Sequence, residues 1–125
     1  LLRIRASSVL FRLRTADEIA ARLTLHNTGP QQLPTVVVGH LDGRVAGSAR
    51  RLAGAGFAEI LYAINVAPEA ATLTLPELRG RAFVLHPVHR SPGAADPRPA
   101  AQAQWDAATA TLQVPARTAL AYVLE

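Results

Sequence analysis

The sequence predicts an all-β fold: an antiparallel β-sandwich of about seven strands, preceded by a short N-terminal helical segment. Two observations point to the sandwich. Short runs of apolar residues alternate with polar ones at the two-residue period of a strand, and eight glycines and nine prolines fall largely between those runs as turn punctuation. A third observation sets the N-terminus apart, because the first thirteen residues follow a helical spacing instead.

In "LLRIRASSVLFRL", Leu2, Ala6, Val9, Leu10 and Leu13 fall on one helical face, with Ile4 and Phe11 on the other. Two apolar stripes predict a segment packed between two bodies. The pair Ser7 and Ser8 is expected to end the regular helix early, since serine competes for backbone hydrogen bonds. "TADEIAA" follows as a short capped helix, with Thr15 and Glu18 in capping-box spacing.

Strands begin at "ARLTLHN", where Leu23 and Leu25 alternate with Arg22, Thr24 and His26, and "NTGPQQLP" reads as a loop. "TVVVGHLDG" is a nearly continuous β-branched run, predicting a strand central in its sheet. Gly43 to Gly56 has no clear period and reads as a long surface loop. "FAEILYAINV" is the strongest strand, with Ile60, Tyr62, Ile64 and Val66 on one face and Leu61 and Ala63 on the other. "ATLTLP" alternates Ala71, Leu73 and Leu75 with Thr72 and Thr74, and "RAFVLHPV" is read as a further strand. "HRSPGAADPRPAAQ" is a loop by composition, and "QWDAATATLQVPARTALAYVLE" supplies two closing strands joined around Pro115. The last of these is apolar on both faces, so it belongs inside a sheet, not on an open edge.

A chain of 125 residues, half of them hydrophobic and 18% charged, suits one domain with a single core. With no cysteine, disulfides, thiolate metal sites and a cysteine nucleophile are excluded. The net charge is only +4, all thirteen basic residues are arginine, and aromatics are 5%. The high pI therefore reflects arginine that never titrates, and the scattered charge lacks the basic-aromatic surface of a nucleic-acid binder. No apolar run approaches the ~18 residues of a membrane span. The first residue is leucine and no signal-peptide layout follows, which is expected of a segment from within a longer polypeptide.

Candidate chemistry is sparse. Of His26, His40, His86 and His89, only His86 and His89 are close in sequence, with Pro87 between them and no companion carboxylate. That pattern points to strand-end histidines on a polar face and not to zinc. The acids Asp17, Glu18, Asp42, Glu59, Glu69, Glu77, Asp96, Asp106 and Glu125 fall mostly in turns or at strand ends, where solvated surface roles are expected and a glycosidase pair is not. No nucleophile elbow, phosphate loop or dinucleotide fingerprint occurs, so no catalytic, cofactor-binding or metal residue is assigned and no cofactor is implied. Tyr62 and Tyr122 lie in alternating apolar strands and read as packing. Trp105, before the hairpin-like "DAATAT", is the one candidate platform for a sugar ring.

The stretch "LLRIRASSVLFRLRTADEIAARLTLHNTGP" resembles the segment joining the catalytic barrel to the C-terminal domain of bacterial pullulanases. In it His26 to Gly29 match the histidine-asparagine-threonine-glycine motif of that family's first sandwich strand. "LYAINVAPEAATLTLPELRGRAFVLHPVH" is similar to the family's next strands, with Asn65 in the turn and Leu85 to Val88 as the leucine-histidine-proline-valine stretch; Val114 to Thr118 match its closing strands. The chain departs from the pattern at Val9, where the family commonly has proline, and in "GRVAGSARRLAGAG", which lacks the usual aspartate-rich stretch.

The resemblance implies the C-terminal domain of an α-1,6-glucosidase of the α-amylase superfamily, whose catalytic residues lie on a barrel outside this chain. It implies residues 1–16 as a remnant of the junction helix and 17–125 as the sandwich, with the catalytic barrel of the same polypeptide as partner and α-glucan as a further one. The implied role is non-catalytic stabilisation of the barrel, in a protein either secreted or cell-surface-bound, or cytoplasmic. Apolar surface around Leu2, Ile4 and Phe11 is expected to be exposed without the barrel. The alternatives are a starch- or glucan-binding module, needing a solvent-facing Trp105 or Tyr62, and a stand-alone immunoglobulin-like interaction domain.

Overall fold

The fold is described from a computed structural model for residues 1–48 and 50–125. Among the described residues, eight strands form two antiparallel sheets. β1 (Leu23–His26), β2 (Val36–Asp42), β3 (Glu59–Asn65), β5 (Val84–Leu85) and β8 (Thr118–Leu124) make a five-stranded sheet in the order β1-β2-β3-β8-β5. β4 (Ala71–Thr74), β6 (Gln104–Asp106) and β7 (Thr111–Val114) make a three-stranded one in the order β4-β7-β6. The sandwich and its helical preface are as the sequence predicts.

The two-residue period decides which side chains enter the core. Val36 and Val38 of β2, Leu61 and Ala63 of β3 and Leu120 and Tyr122 of β8 face inward to meet Leu73, Leu112 and Val114 of the smaller sheet, with Phe83, Leu75 and Leu78 closing the end. β8 is buried on both faces, and β3 on both at its start but only on the inner face toward Ile64, which explains their apolar reading. Ile60 of β3 and Ala121 and Val123 of β8 point to the outer face, where they form a second cluster with Leu41, Ala55, Ile4 and Leu10.

That second cluster is built by the N-terminus. α1 (Leu2–Ala6) stops at Ser7, and a 3-10 turn (Val9–Arg12) restarts the chain, capped by the Ser8 hydroxyl, which accepts from Leu10 N at 3.1 Å. The early stop at the serine pair is as expected, but the two-stripe helix is corrected. With the helix broken, Ile4 and Leu10 fall on the same side and are buried, whereas Leu2 is 84% exposed. Ile4 therefore does not belong to the exposed apolar surface. α2 (Ala16–Arg22) opens with the anticipated capping box: Glu18 N donates to Thr15 Oγ1 and Thr15 N donates to Glu18 Oε2.

Three other readings are corrected. "RAFVLHPV" contributes only the two-residue β5, because His86 caps a helical turn, α3 (Pro87–Arg90), with Pro87 in its first position. The stretch "HRSPGAADPRPAAQ" also holds α4 (Arg98–Gln102), packed near β8 and tied to the closing strands by Arg98 Nη1 donating to Ala116 O at 3.0 Å. The Gly43–Gly56 segment is no simple surface loop. Arg44 and Arg51 form a bridge, and Ala55 is fully buried, its carbonyl accepting from the Ser8 hydroxyl at 2.6 Å; Ala49 of that reading lies outside the described residues.

Two asparagines fix the long connections. Asn27, at φ 53°, donates from Nδ2 to Leu33 O and Val36 O and accepts from Leu33 N, closing the β1–β2 loop on itself. Asn65, buried, donates to Glu69 O and Pro115 O and accepts from Ala67 N, stapling the β3–β4 turn to the β7–β8 link.

Candidate functional site

Four features carry the molecule's polar and apolar chemistry, and none assembles a reactive centre among the described residues. The first is Glu59, at the start of β3. Its side chain is fully buried, contrary to the solvated role expected of it. Oε2 accepts from His40 Nε2 at 2.9 Å, and Oε1 accepts from the guanidinium groups of Arg44 and Arg81. Burial opposes ionisation of this carboxyl. The His40 hydrogen bond and the charges of Arg81 and Arg44 outweigh it, so the carboxyl is held below its ordinary range. With Oε1 held by two guanidinium groups and Oε2 by a buried imidazole, Glu59 ties strand ends together.

The second feature links the N-terminus to the edge of β8. His86 Nδ1 accepts from Val88 N at 3.1 Å, which places the ring proton on Nε2, the donor to Ser7 Oγ at 3.0 Å; the Ser7 hydroxyl in turn donates to Ile4 O at 2.7 Å. Hydrogen-bond donation thus runs from histidine to serine, the reverse of what an activated nucleophile needs. Burial, then the neighbouring His89, brings the His86 pKa down to about 4, so the neutral ring this network requires is the form present at pH 7. His89 accepts from Ala121 N at 3.2 Å, while His86 N donates to Ala121 O. The imidazole replaces the strand neighbour that β8 lacks once β5 ends. His40, His86 and His89 are therefore buried, not placed on a polar face. Among the described residues no group of three or more histidines and acids stands close enough to hold a metal ion.

The third feature is an apolar groove of about 400 Å³ on the outer face of the five-stranded sheet, lined by Leu1, Ile19, Tyr62, Ile64, Phe11 and their neighbours. The N-terminal segment covers only part of that face. Beyond it Leu25 on β1 and Val37 on β2 are 53% and 51% exposed, and Val37 lies opposite Ile64 in the strand register. Tyr62 is half-buried here, tilted against Phe11 and lying over Gly39, its cross-strand partner. Burial raises its phenol pKa.

The fourth is a polar cavity of about 610 Å³ between the β1–β2 connection and the β4–Leu78 segment, lined by His26, His40, Arg81, Glu77, Gln31 and Gln32 among others. The His26 side chain is 8% exposed. Its Nε2 is buried with no hydrogen-bond partner among the described residues, and its Nδ1 stands 3.8 Å from Glu77 Oε2, beyond hydrogen-bonding reach. Burial and the adjacent His40 lower the His26 pKa.

Trp105 is half-buried and lines a shallow pocket with Thr72, Thr111 and Gln113. In the β6–β7 register it lies opposite Leu112, its ring packs edge-on against Phe83, and its indole N–H donates to Arg81 O at 2.7 Å. Tyr122 is buried in the core, as read from the sequence. Sequence reasoning missed Glu59 and the His26 cavity; the one available signal was an acid opening the most apolar strand of the chain.

Fold and chemistry together define a β-sandwich domain with buried polar ties and an apolar groove on the outer face of its five-stranded sheet. The chain belongs to the family described as alpha-1,6-glucosidases, pullulanase-type, C-terminal, which matches it over residues 1–125. It is 35% identical over 124 residues to chloroplastic pullulanase 1 of Arabidopsis thaliana, covering 98% of this chain and 12% of that protein. Its fold is similar to that of PulA from Klebsiella pneumoniae, in a crystal structure of the maltotriose complex, with a TM-score of 0.76 and 28% identity over 97% of this chain and 12% of that one. PulA from Klebsiella oxytoca gives a TM-score of 0.75 and 27% identity, covering 97% and 11%. The chain thus spans about an eighth of the length of these relatives. No helix among the described residues is long and apolar enough to cross a membrane.

Proposed function

We propose that this chain is the non-catalytic C-terminal domain of a debranching enzyme that hydrolyses α-1,6-glucosidic bonds, and that its role is to cover and stiffen the catalytic barrel of the same polypeptide. Residues 1–16 form the junction and residues 17–125 the sandwich. The observation that carries this reading is the apolar outer face of the five-stranded sheet, where Ile64 lines the groove and Leu25 and Val37 stand open beside it. An apolar sheet face left unpaired is the mark of a docking surface.

Its occupant is the upstream polypeptide. The relatives are about eight times longer than this chain, and Leu1, the residue that leads upstream, itself lines the groove. The packing of Trp105 edge-on against Phe83 and of Tyr62 against Phe11 argues against a module built on either ring. The test is the double substitution Leu25→Asp and Val37→Asp in the full-length polypeptide, with melting temperature, limited proteolysis and pullulan hydrolysis measured together. A lowered melting temperature with release of this domain by protease is expected. Unchanged melting and proteolysis, or a native polypeptide of only 13 kDa, defeats the proposal.

A further inference from the structure

We propose that the groove on the outer face of the five-stranded sheet receives an aliphatic ridge of the upstream polypeptide flanked by carboxylates, one of which pairs with Arg5. The inference rests on the docking role given above and names the chemistry of the partner surface. Leu1, Ile4, Phe11 and Leu13 build one wall of the groove, and Arg5 is the one charged side chain in its lining among the described residues. No aspartate or glutamate lines it. Arg3, Arg5, Arg12 and Arg14 are all exposed, and residues 1–14 contain no acid. None of the four makes a salt bridge among the described residues, whereas Arg44, Arg81 and Arg98 do. The next acids are Asp17, outside the groove lining, and Glu18, whose Oε2 already accepts from Arg14 N and Thr15 N. A guanidinium beside apolar side chains loses part of its water when that surface is covered, and a carboxylate on the covering surface offsets the loss.

Other occupants fit less well. A second copy of this chain, with its net charge of +4, brings the same arginine rim against itself, and like charges facing each other oppose association. A membrane surface calls for a sustained amphipathic helix, and α1 has five residues. Nucleic acid offers phosphates to the arginines but no aliphatic side chain to a groove of about 400 Å³. A protein ridge with leucine or valine beside aspartate or glutamate supplies both.

The chain contains no lysine, so Arg5→Lys places a unique side-chain amine at the groove within these 125 residues. In the full-length polypeptide, carbodiimide coupling without a spacer joins that amine only to a carboxylate in contact with it, and mass spectrometry identifies the acid. The expected product links position 5 to an aspartate or glutamate upstream of Leu1. Arg79→Lys, exposed and outside the groove lining, should give no such link. Arg5→Glu should speed proteolytic release of this domain about tenfold over the parent at ~0.1 M salt. The factor should fall toward one at ~1 M, where the screening length drops from ~10 Å to ~3 Å. Coupling confined to acids of this chain, a link between two copies, no coupling at all, or an Arg5→Glu effect indifferent to salt overturns the acidic partner. Release of the domain by Leu25→Asp with Val37→Asp, without coupling at position 5, sinks this inference only. Coupling to an upstream acid with no effect of that pair sinks the apolar-face reading only.

Discussion

Glu59→Gln keeps the shape of the most buried carboxylate in the molecule and removes its charge. Three charge-assisted hydrogen bonds converge on that side chain, from His40, Arg44 and Arg81. Hydrogen bonds to charged groups are worth ~1.5–3 kcal/mol each, and breaking a fully buried pair costs ~3–5 kcal/mol. The two arginine side chains are 40% and 36% exposed and regain hydration when released, which discounts their share. An amide oxygen still accepts from His40. The net destabilisation at pH 7 is therefore expected near ~2–3 kcal/mol, the worth of a single hydrogen bond to a charged group.

The pH dependence tests the cause. The Glu59 carboxyl is held below its ordinary value of 4.5 in the folded chain. As pH falls, the unfolded chain takes up the proton first, so the stabilisation is fully present above 4.5 and is lost as pH drops through the lower folded value. Urea unfolding followed by the fluorescence of Trp105, the single tryptophan, gives the difference between parent and variant. That difference should shrink steadily as the pH drops below 4.5. A difference that is the same at neutral pH and at about pH 3 would refute the argument, because a neutral carboxylic acid would then serve as well as the anion.

Gly39→Ala places a Cβ into the Tyr62 ring; a destabilisation of ~1–3 kcal/mol is expected from overpacking, and a crystal structure should show the ring swung off β2. His89→Ala leaves Ala121 N without its acceptor, at a cost of ~1–3 kcal/mol, and amide exchange at Ala121 should accelerate far more than at Leu120. Leu112→Ala empties a fully buried site between the sheets and should cost ~2–5 kcal/mol in urea unfolding, against less than ~0.5 for the exposed Thr72→Ala.

Strands were legible wherever one chain segment satisfied the two-residue period by itself. "FAEILYAINV" became β3 through its alternating apolar face, and "TVVVGHLDG" became β2 through its nearly continuous β-branched run. The family assignment was legible too, through motifs at His26–Gly29 and Leu85–Val88. What escaped was everything decided by distant partners. β5 is cut to two residues by Pro87, after which the His86 backbone N–H and the His89 imidazole partner Ala121 of β8. α4 forms in a proline-rich run because Pro97 and Pro99 are tolerated in a first helical turn and Arg98 finds Ala116 O. Glu59 looked solvated because its cations come from 15 and 22 residues away. Ile4 and Leu10 fell on opposed stripes because a 3.6-residue period was carried across Ser7 and Ser8, where the helix has already stopped.

The burial of Ile4 and Leu10 against β3 and β8 bears on how such domains can be exchanged between enzymes. A recombination point drawn ahead of the first strand, near residue 17, would deliver a sandwich stripped of two side chains as deeply buried as its own interior, with Ser8 no longer there to hold the Ala55 carbonyl. Grafts that carry Leu1–Leu13 along with the strands would keep the outer sheet face half-shielded in a new host. The portable unit is defined by what the leading segment covers, and it begins before the first strand does.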